Sequence, residues 1–244
     1  MNNPFIPLKK AKLVIVDGRI DKDSFKKLEE MGLKVIPTIC CKEIHPSVAF
    51  HPDMVIHPVN PETLVIAPNV FEYYEKVLYG MGIKLIKGEK WLNIKYPNDI
   101  AYNVLRISKY ALHNFKYIDK KLLFYLKKEK LEFININQGY SKCSTAIIDE
   151  KAIITSDYPI YKKMSELGID SLLIRQGAIE LLGFNYGFIG GCCGNISKNE
   201  IIFYGNVFRH PDGEKIMKFL NKYNKNVYFL TEKNLVDIGT IISL

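Results

Sequence analysis

Lys142–Cys143–Ser144–Thr145–Ala146–Ile147–Ile148–Asp149–Glu150–Lys151–Ala152–Ile153–Ile154–Thr155–Ser156–Asp157 is the stretch on which the fold turns. An apolar run over 144–149, a short polar turn at Asp149–Glu150–Lys151 and a second apolar run over 152–156 predict a β-hairpin. Asp157 supplies a side-chain oxygen for the free N–H groups that open a helix over 158–167. Gly168 ends that helix, because a left-handed residue after the last turn costs glycine no Cβ clash. Ile169–Asp170–Ser171–Leu172 then starts a third strand. The local order is strand, strand, helix, strand.

The same order recurs along the chain, which makes an internal repeat the first feature to settle. Glu30–Met31–Gly32–Leu33–Lys34–Val35–Ile36 matches Gly80–Met81–Gly82–Ile83–Lys84–Leu85–Ile86, and both match Glu166–Leu167–Gly168–Ile169. Two more copies lack the glycine: Glu129–Lys130–Leu131–Glu132–Phe133–Ile134 and Tyr223–Asn224–Lys225–Asn226–Val227–Tyr228–Phe229. Asn224 tolerates the left-handed conformation that the position requires. Upstream of these helix ends, the second copy predicts strands over 54–59 and 63–67 and a helix from Val70 capped by Asn69. The third predicts strands over 100–108 and 110–113 and a helix over 117–128. The fifth predicts strands over 188–196 and 200–204 and a helix over 211–223. The first copy is shortened, with one strand over 12–17 before a helix over 21–31. A helix flanked by strands at every repeat makes the class α/β. An open doubly wound sheet supplies one strand before each helix, whereas this chain supplies two. We therefore expect one domain over 1–244, a five-unit pseudosymmetric ββαβ propeller whose first unit is shortened.

The composition is that of an ordinary globular chain, 48% apolar and 25% charged over 244 residues, and a chain of this length buries roughly three quarters of its unfolded surface without help from disulfides or metals. The first ten residues hold no apolar run that fits a signal-peptide core, and no stretch approaches the roughly 18 apolar residues of a membrane span. A cytoplasmic protein with no membrane association is the expectation. The five cysteines form two adjacent pairs, Cys40–Cys41 and Cys192–Cys193, plus Cys143. Neighbouring cysteines bridge each other only under strain, and there is no CxxC pair to suggest a zinc ribbon. Free thiols suit a reducing compartment. The net charge of +8 comes almost wholly from lysine, with four arginines at positions 19, 106, 175 and 209. Lysine spread along helices is more typical of a solvated face than of a nucleic-acid site, where charge clusters.

The five ββαβ units, the 142–155 hairpin, Phe188–Ile189–Gly190–Gly191–Cys192–Cys193–Gly194 and the terminal Val236–Asp237–Ile238–Gly239 resemble the pentein propeller. That superfamily contains guanidino-group modifying enzymes: arginine and agmatine deiminases, amidinotransferases and dimethylarginine hydrolases. The resemblance implies a cysteine that attacks a guanidinium carbon, a histidine that moves protons and carboxylates that hold the planar cation, with no cofactor and no metal. In those enzymes the histidine sits in a His-x-Asp motif well upstream of a cysteine near the chain's end. His51–Pro52–Asp53 and Cys192–Cys193 match that order. The superfamily also includes ribosome-binding factors without a catalytic cysteine, so an RNA-associated binding protein or a small-molecule sensor on the same scaffold is the alternative.

In such a ring the start of each leading strand approaches the axis, and those starts are polar here. Asp53-x-x-x-His57 in the second unit is paralleled by Asp99-x-x-x-Asn103 in the third; Lys142, Cys143 and Ser144 occupy the fourth, and Gly191, Cys192 and Cys193 the fifth. Four units thus aim titratable or hydrogen-bonding groups at one place. His51 and His57 are candidates for general acid and base, or they fill half-buried strand positions. Asp53 and Asp99 suit bidentate contact with a planar cation, although Pro52–Asp53 and Pro97–Asn98–Asp99 also read as turns. Cys192 or Cys193 is favoured as nucleophile by its place in the last unit. Cys143 is the rival, because Lys142 beside it can raise the thiolate fraction. Asn103, Lys142 and Ser144 are candidates for orienting a substrate. His210–Pro211–Asp212 repeats the His-Pro-Asp string at a helix start, where proline and an acid are expected for structural reasons.

Overall fold

Each repeat folds because its middle strand is apolar enough to be buried on both faces. The computed structural model describes residues 3–244. In the first unit β1 (Leu13–Val16) leads through α1 (Lys22–Glu30) to β2 (Lys34–Pro37). The second unit opens with a helical turn α2 (Pro52–Val55) and continues through β3 (Ile56–Asn60), β4 (Thr63–Ile66), α3 (Phe71–Val77) and β5 (Lys84–Lys87). The third contains β6 (Leu105–Ile107), β7 (Tyr110–His113), α4 (Lys120–Lys128) and β8 (Glu132–Asn135). The fourth contains β9 (Thr145–Asp149), β10 (Ala152–Thr155), α5 (Tyr158–Glu166) and β11 (Asp170–Leu173). The fifth begins with a 3-10 turn, Ile189–Cys192, followed by β12 (Cys193–Asn195), β13 (Glu200–Phe203), α6 (Gly213–Lys222) and β14 (Asn226–Phe229). A last short strand, β15 (Ile242–Ser243), ends the chain.

These strands form five three-stranded sheets of one design. A leading strand runs antiparallel to the middle strand, and the strand after the helix runs parallel to it. The middle strands are sealed: Val14, Ile15, Val16, Leu64, Val65, Ile66, Ile153, Ile154, Ile201 and Ile202 have no solvent exposure. Such continuous apolar runs are what burial on both faces selects. The third strand is the edge, and Lys84, Lys87 and Glu132 at its ends are exposed, charges that discourage pairing with another sheet.

The first unit is short in sequence only. β15 pairs antiparallel with β1, Val14 opposite Ser243 and Ile15 opposite Ile242, so the far end of the chain supplies the leading strand that the first repeat lacks. Contacts between neighbouring units then run full circle. Ala11 N–H donates to Ile196 O (2.7 Å) and Asn195 Nδ2 to Ile147 O (2.8 Å). Asn103 Oδ1 accepts from Lys142 N and Cys143 N, its Nδ2 donates to Asp53 O, and Asp53 N donates to Gly239 O. Among the described residues no helix is long and apolar enough to cross a membrane.

Local signals set most boundaries. Asp21, Asp119 and Asp157 cap α1, α4 and α5 by accepting from Ser24 N, Leu122 N and Ile160 N. The residue after the last helical turn has a positive φ in each full helix-to-strand junction, at Gly32, Gly82, Lys130, Gly168 and Asn224, so a lysine takes the left-handed place in the third copy. The deviations are concentrated ahead of the leading strands. Residues 54–55, 100–104 and 189–192 are helical, turn or irregular segments where strand was expected, and Asn69 does not cap α3; its side chain bonds both Leu92 N and Leu92 O instead.

Candidate active site

The five segments that precede the leading strands meet. They are residues 237–240 before β15, 51–55 before β3, 99–104 before β6, 140–144 before β9 and 188–192 before β12. Each contributes to the lining of one cavity of about 320 Å³: Asp237, His51 with Met54, Asp99, Tyr140 with Cys143, and Phe188. The rest of the wall comes from His45 and Val48 and from the loop bearing Leu181, Phe184, Asn185 and Tyr186.

At the inner end of the cavity lie a thiol, an imidazole and a carboxylate. Cys143 Sγ is 3.6 Å from both oxygens of Asp237. His51 Nδ1 is 3.7 Å from Asp237 Oδ1, and His51 Nε2 is 3.9 Å from Asp17 Oδ2. Asp17 is itself held by Arg19, whose Nε and Nη2 donate to its two oxygens at 2.9 and 2.6 Å. All three groups of the cluster are buried. Burial pushes the Cys143 thiol well up, the charges of Asp237 and Asp53 push the same way, and Lys142 opposes them. Burial holds His51 below the ordinary histidine range, although Asp237 and Asp17 pull it back. Burial also raises Asp237, with His51 opposing and Asp53 adding to the rise. The resting site therefore favours a neutral thiol beside a neutral imidazole, poised for proton exchange. The ligand atoms of His51, Cys143 and Asp237 lie within 4.8 Å of one another, a mixed N, S and O set that a borderline-soft divalent ion also accepts.

Backbone packing holds this cluster in place, and two glycines make the packing possible. A Cβ on Gly191 would meet Asp237 Oδ1 at 1.8 Å, and one on Gly239, which has a φ of +69°, would meet His51 Cβ at 2.1 Å. The Asp237 carboxylate is aimed by Phe188 N (2.9 Å) and Gly239 N (3.0 Å). Asn103 fixes the start of the Cys143 turn through the two N–H groups at 142 and 143 (2.9 and 3.1 Å). A second carboxylate, Asp99, faces the cavity from the third unit; Tyr140 Oη donates to its Oδ2 at 2.6 Å, while its buried Oδ1 has no hydrogen-bond partner among the described residues.

Comparison with known proteins bears on the fold. A family model described as a family of unknown function, DUF6873, matches residues 15–242. The chain belongs to that family. Solved structures resemble it along nearly its whole length. DDAH from Pseudomonas aeruginosa, a cysteine-to-serine variant complexed with citrulline, superposes with a TM-score of 0.56 at 8% identity, covering 91% of this chain and 92% of its own. SxtG, an amidinotransferase from Microseira wollei in the saxitoxin biosynthetic pathway, gives 0.53 at 12% identity, with 92% and 89% covered. The C. jejuni agmatine deiminase gives 0.52 at 12%, with the same coverage. No curated protein matches the sequence. These likenesses establish the pentein fold of this DUF6873 member.

Within that fold the sequence candidates separate. His51, Cys143 and Asp99 line the cavity. Asp53 lies behind Cys143, fully buried; burial lifts its carboxyl to about 6, against the pull of Lys142. Lys142 Nζ bonds Gly190 O (3.1 Å) and Thr240 Oγ1 (2.7 Å), and Asn103 braces the backbone, so neither lines the cavity. Ser144 is buried with its hydroxyl unpartnered among the described residues. His57 sits apart, with Nδ1 3.2 Å from Tyr102 O and its ring against Phe5. Cys192 and Cys193 do not line the cavity either; their sulfurs face Phe188 O (3.2 Å) and Ile189 O (3.5 Å) within an apolar cluster. The glycines beside them admit close backbone packing: a Cβ on Gly190 would lie 2.2 Å from Thr145 O. Asp237, Asp17 and Tyr140 were not among the candidates. Asp237 carries the same signal as the others, a polar residue just ahead of a leading strand, once β15 is recognised as the first unit's.

Proposed function

We propose that the protein is a cysteine-dependent enzyme acting on a guanidino-type small molecule, with Cys143 as nucleophile, His51 as proton carrier and Asp237 and Asp99 as the carboxylates that receive the cation. The observation that carries this reading is the meeting of Cys143, His51 and Asp237 at the inner end of a cavity that Asp99 also lines. The likeness to an amidinotransferase, a citrulline-bound DDAH and an agmatine deiminase supports the same class.

The chemistry follows from the charges. Three buried carboxyls, Asp53, Asp99 and Asp237, are raised by burial, so a guanidinium entering the cavity stabilises their ionised forms and, by the same field, the thiolate of Cys143. The thiol proton passes to His51. The sulfur then attacks the guanidinium carbon; a C–S bond forms, one C–N bond breaks, and the departing amine leaves with the electron pair and takes the proton from His51. The resulting S-amidino cysteine is released by water, giving a urea-type product, or by an acceptor amine, giving a new guanidine. Both outcomes share the first half-reaction.

The test is incubation of the purified protein with a panel of alkyl- and arylguanidines, followed by acid quench. Amine or ammonia release together with an amidino adduct on the Cys143 peptide is expected. Neither release nor adduct with any member of the panel would overturn the enzyme reading, and tight guanidine binding without turnover would make the protein a sensor.

A further inference from the structure

We infer that the cavity selects guanidines that carry no carboxylate and bear an apolar or aromatic substituent on nitrogen. This rests on the guanidine reading above and narrows it. None of the described residues lining the cavity is a lysine or arginine. Three cations outside this lining are already engaged. Lys142 is bonded to Gly190 O and Thr240 Oγ1, Arg19 to Asp17 and the carbonyls of Pro46 and Ser47, and Arg175 to Asp212 and Pro211 O.

The lining is of two kinds. Asp237, Asp99 and Cys143 suit a planar cation. Val48, Met54, Leu181, Phe184 and Phe188 give the same cavity apolar wall. The hydroxyls of the two lining tyrosines are engaged, Tyr186 accepting from Gln176 Nε2 at 2.6 Å and Tyr140 donating to Asp99. His45 stacks on Phe184 with ring centroids 4.8 Å apart and accepts Ser47 N–H through Nδ1. An α-amino acid tail placed here would bury its carboxylate against apolar side chains without a cationic partner and within the field of two aspartates, an arrangement that proteins avoid. An alkyl or aryl tail would instead exclude water from these side chains at no such cost.

The experiment compares second-order inactivation rates of the full chain by chloroacetamidine, its N-phenethyl derivative and its N-carboxypropyl derivative. In each case the Cys143 sulfur displaces chloride, which leaves with the C–Cl electron pair while the thiol proton goes to His51. Rates are measured at pH 8, above the range in which histidines ordinarily charge. The N-phenethyl compound is expected to react at least about 10-fold faster than the N-carboxypropyl compound, a difference of about 1.4 kcal/mol. Leu181→Arg, which places a cation in the apolar wall, is expected to shrink or reverse that ratio. If the parent compound labels Cys143 but the carboxylate derivative reacts as fast as the phenethyl one, the selectivity is wrong and the guanidine reading survives. If the parent compound does not react with Cys143 faster than with a free thiol, both fall together.

Discussion

Two cysteine-bearing turns occupy equivalent places in neighbouring units, yet they are built for different ends. The turn before β9 places Cys143 against Asp237 and His51 in the cavity wall. The turn before β12 buries Cys192 and Cys193 against the carbonyls of Phe188 and Ile189 and an apolar cluster. Burial raises all three thiols, so titration does not distinguish them. Partners do: a thiol becomes useful where an imidazole and a cation-binding carboxylate share its cavity, and it remains packing where they do not.

The largest effect that would sharpen this contrast is the loss of turnover in Cys143→Ala, expected to exceed about 10³-fold in a guanidine assay, while Cys193→Ala stays within a few-fold of the parent. A second comparison pairs two histidines of the same unit. His51→Ala is expected to lower the rate by about 10² to 10⁴, and His57→Gln to leave kcat nearly unchanged because its ring does not reach the cavity. Asp237→Asn is expected to fall at least as far as His51→Ala, since it removes a carboxylate that receives the cation and the charge that faces His51 Nδ1.

The sealed histidines should instead appear in stability. Burial holds His57 and His113 at about 3, against about 6.5 in an unfolded chain. Between those values the unfolded state binds more protons than the folded one, so stability falls as pH falls below about 6.5. Asp53, lifted to about 6, works the other way: its burial cost is relieved as pH drops from about 6 towards 4. These three groups together give a net loss of roughly 3 kcal/mol between pH 7.5 and 5, measurable as a lower urea midpoint. Asp99 and Asp237, also raised by burial, offset part of this loss and His51, held low, adds to it, so the decisive comparison is His57→Gln: a fall in midpoint as steep as the parent's would show that His57 is not sealed. Smaller effects are expected from Tyr140→Phe, which removes one bond to Asp99 and should raise KM by about 3- to 10-fold. Cys192→Ala should cost about 1 kcal/mol of stability with activity retained.

The fold was legible wherever local rules agreed. The fourth unit followed its sequence signals almost residue for residue, since a polar turn, an aspartate cap and a glycine stop all point one way there. The segments ahead of the leading strands misread as strand because they hold apolar residues such as Met54, Val55, Ile100 and Ile189 whose burial comes from meeting at the centre, not from a sheet. Of the residues singled out from the sequence, His51, Asp99 and Cys143 line the cavity, one from each of three units, whereas the fifth unit reaches it through Phe188 and not through Cys192 or Cys193. Asp237 was missed together with β15: the first unit's leading strand and its polar residue both lie at the opposite end of the chain, where no local pattern connects them to β1. Choosing between Cys143 and the Cys192–Cys193 pair was likewise beyond a linear reading, because the choice depends on which turn faces His51.

The most direct test of the account is to treat the native protein briefly with chloroacetamidine and map the modified thiol among all five cysteines by peptide mass spectrometry, with and without a competing arylguanidine. The account predicts rapid modification at Cys143 alone, suppressed by the competitor, with neutral iodoacetamide much slower at the same residue. Preferential modification of Cys192 or Cys193, or equal labelling of Cys143 and the exposed Cys40 with no protection, would contradict it.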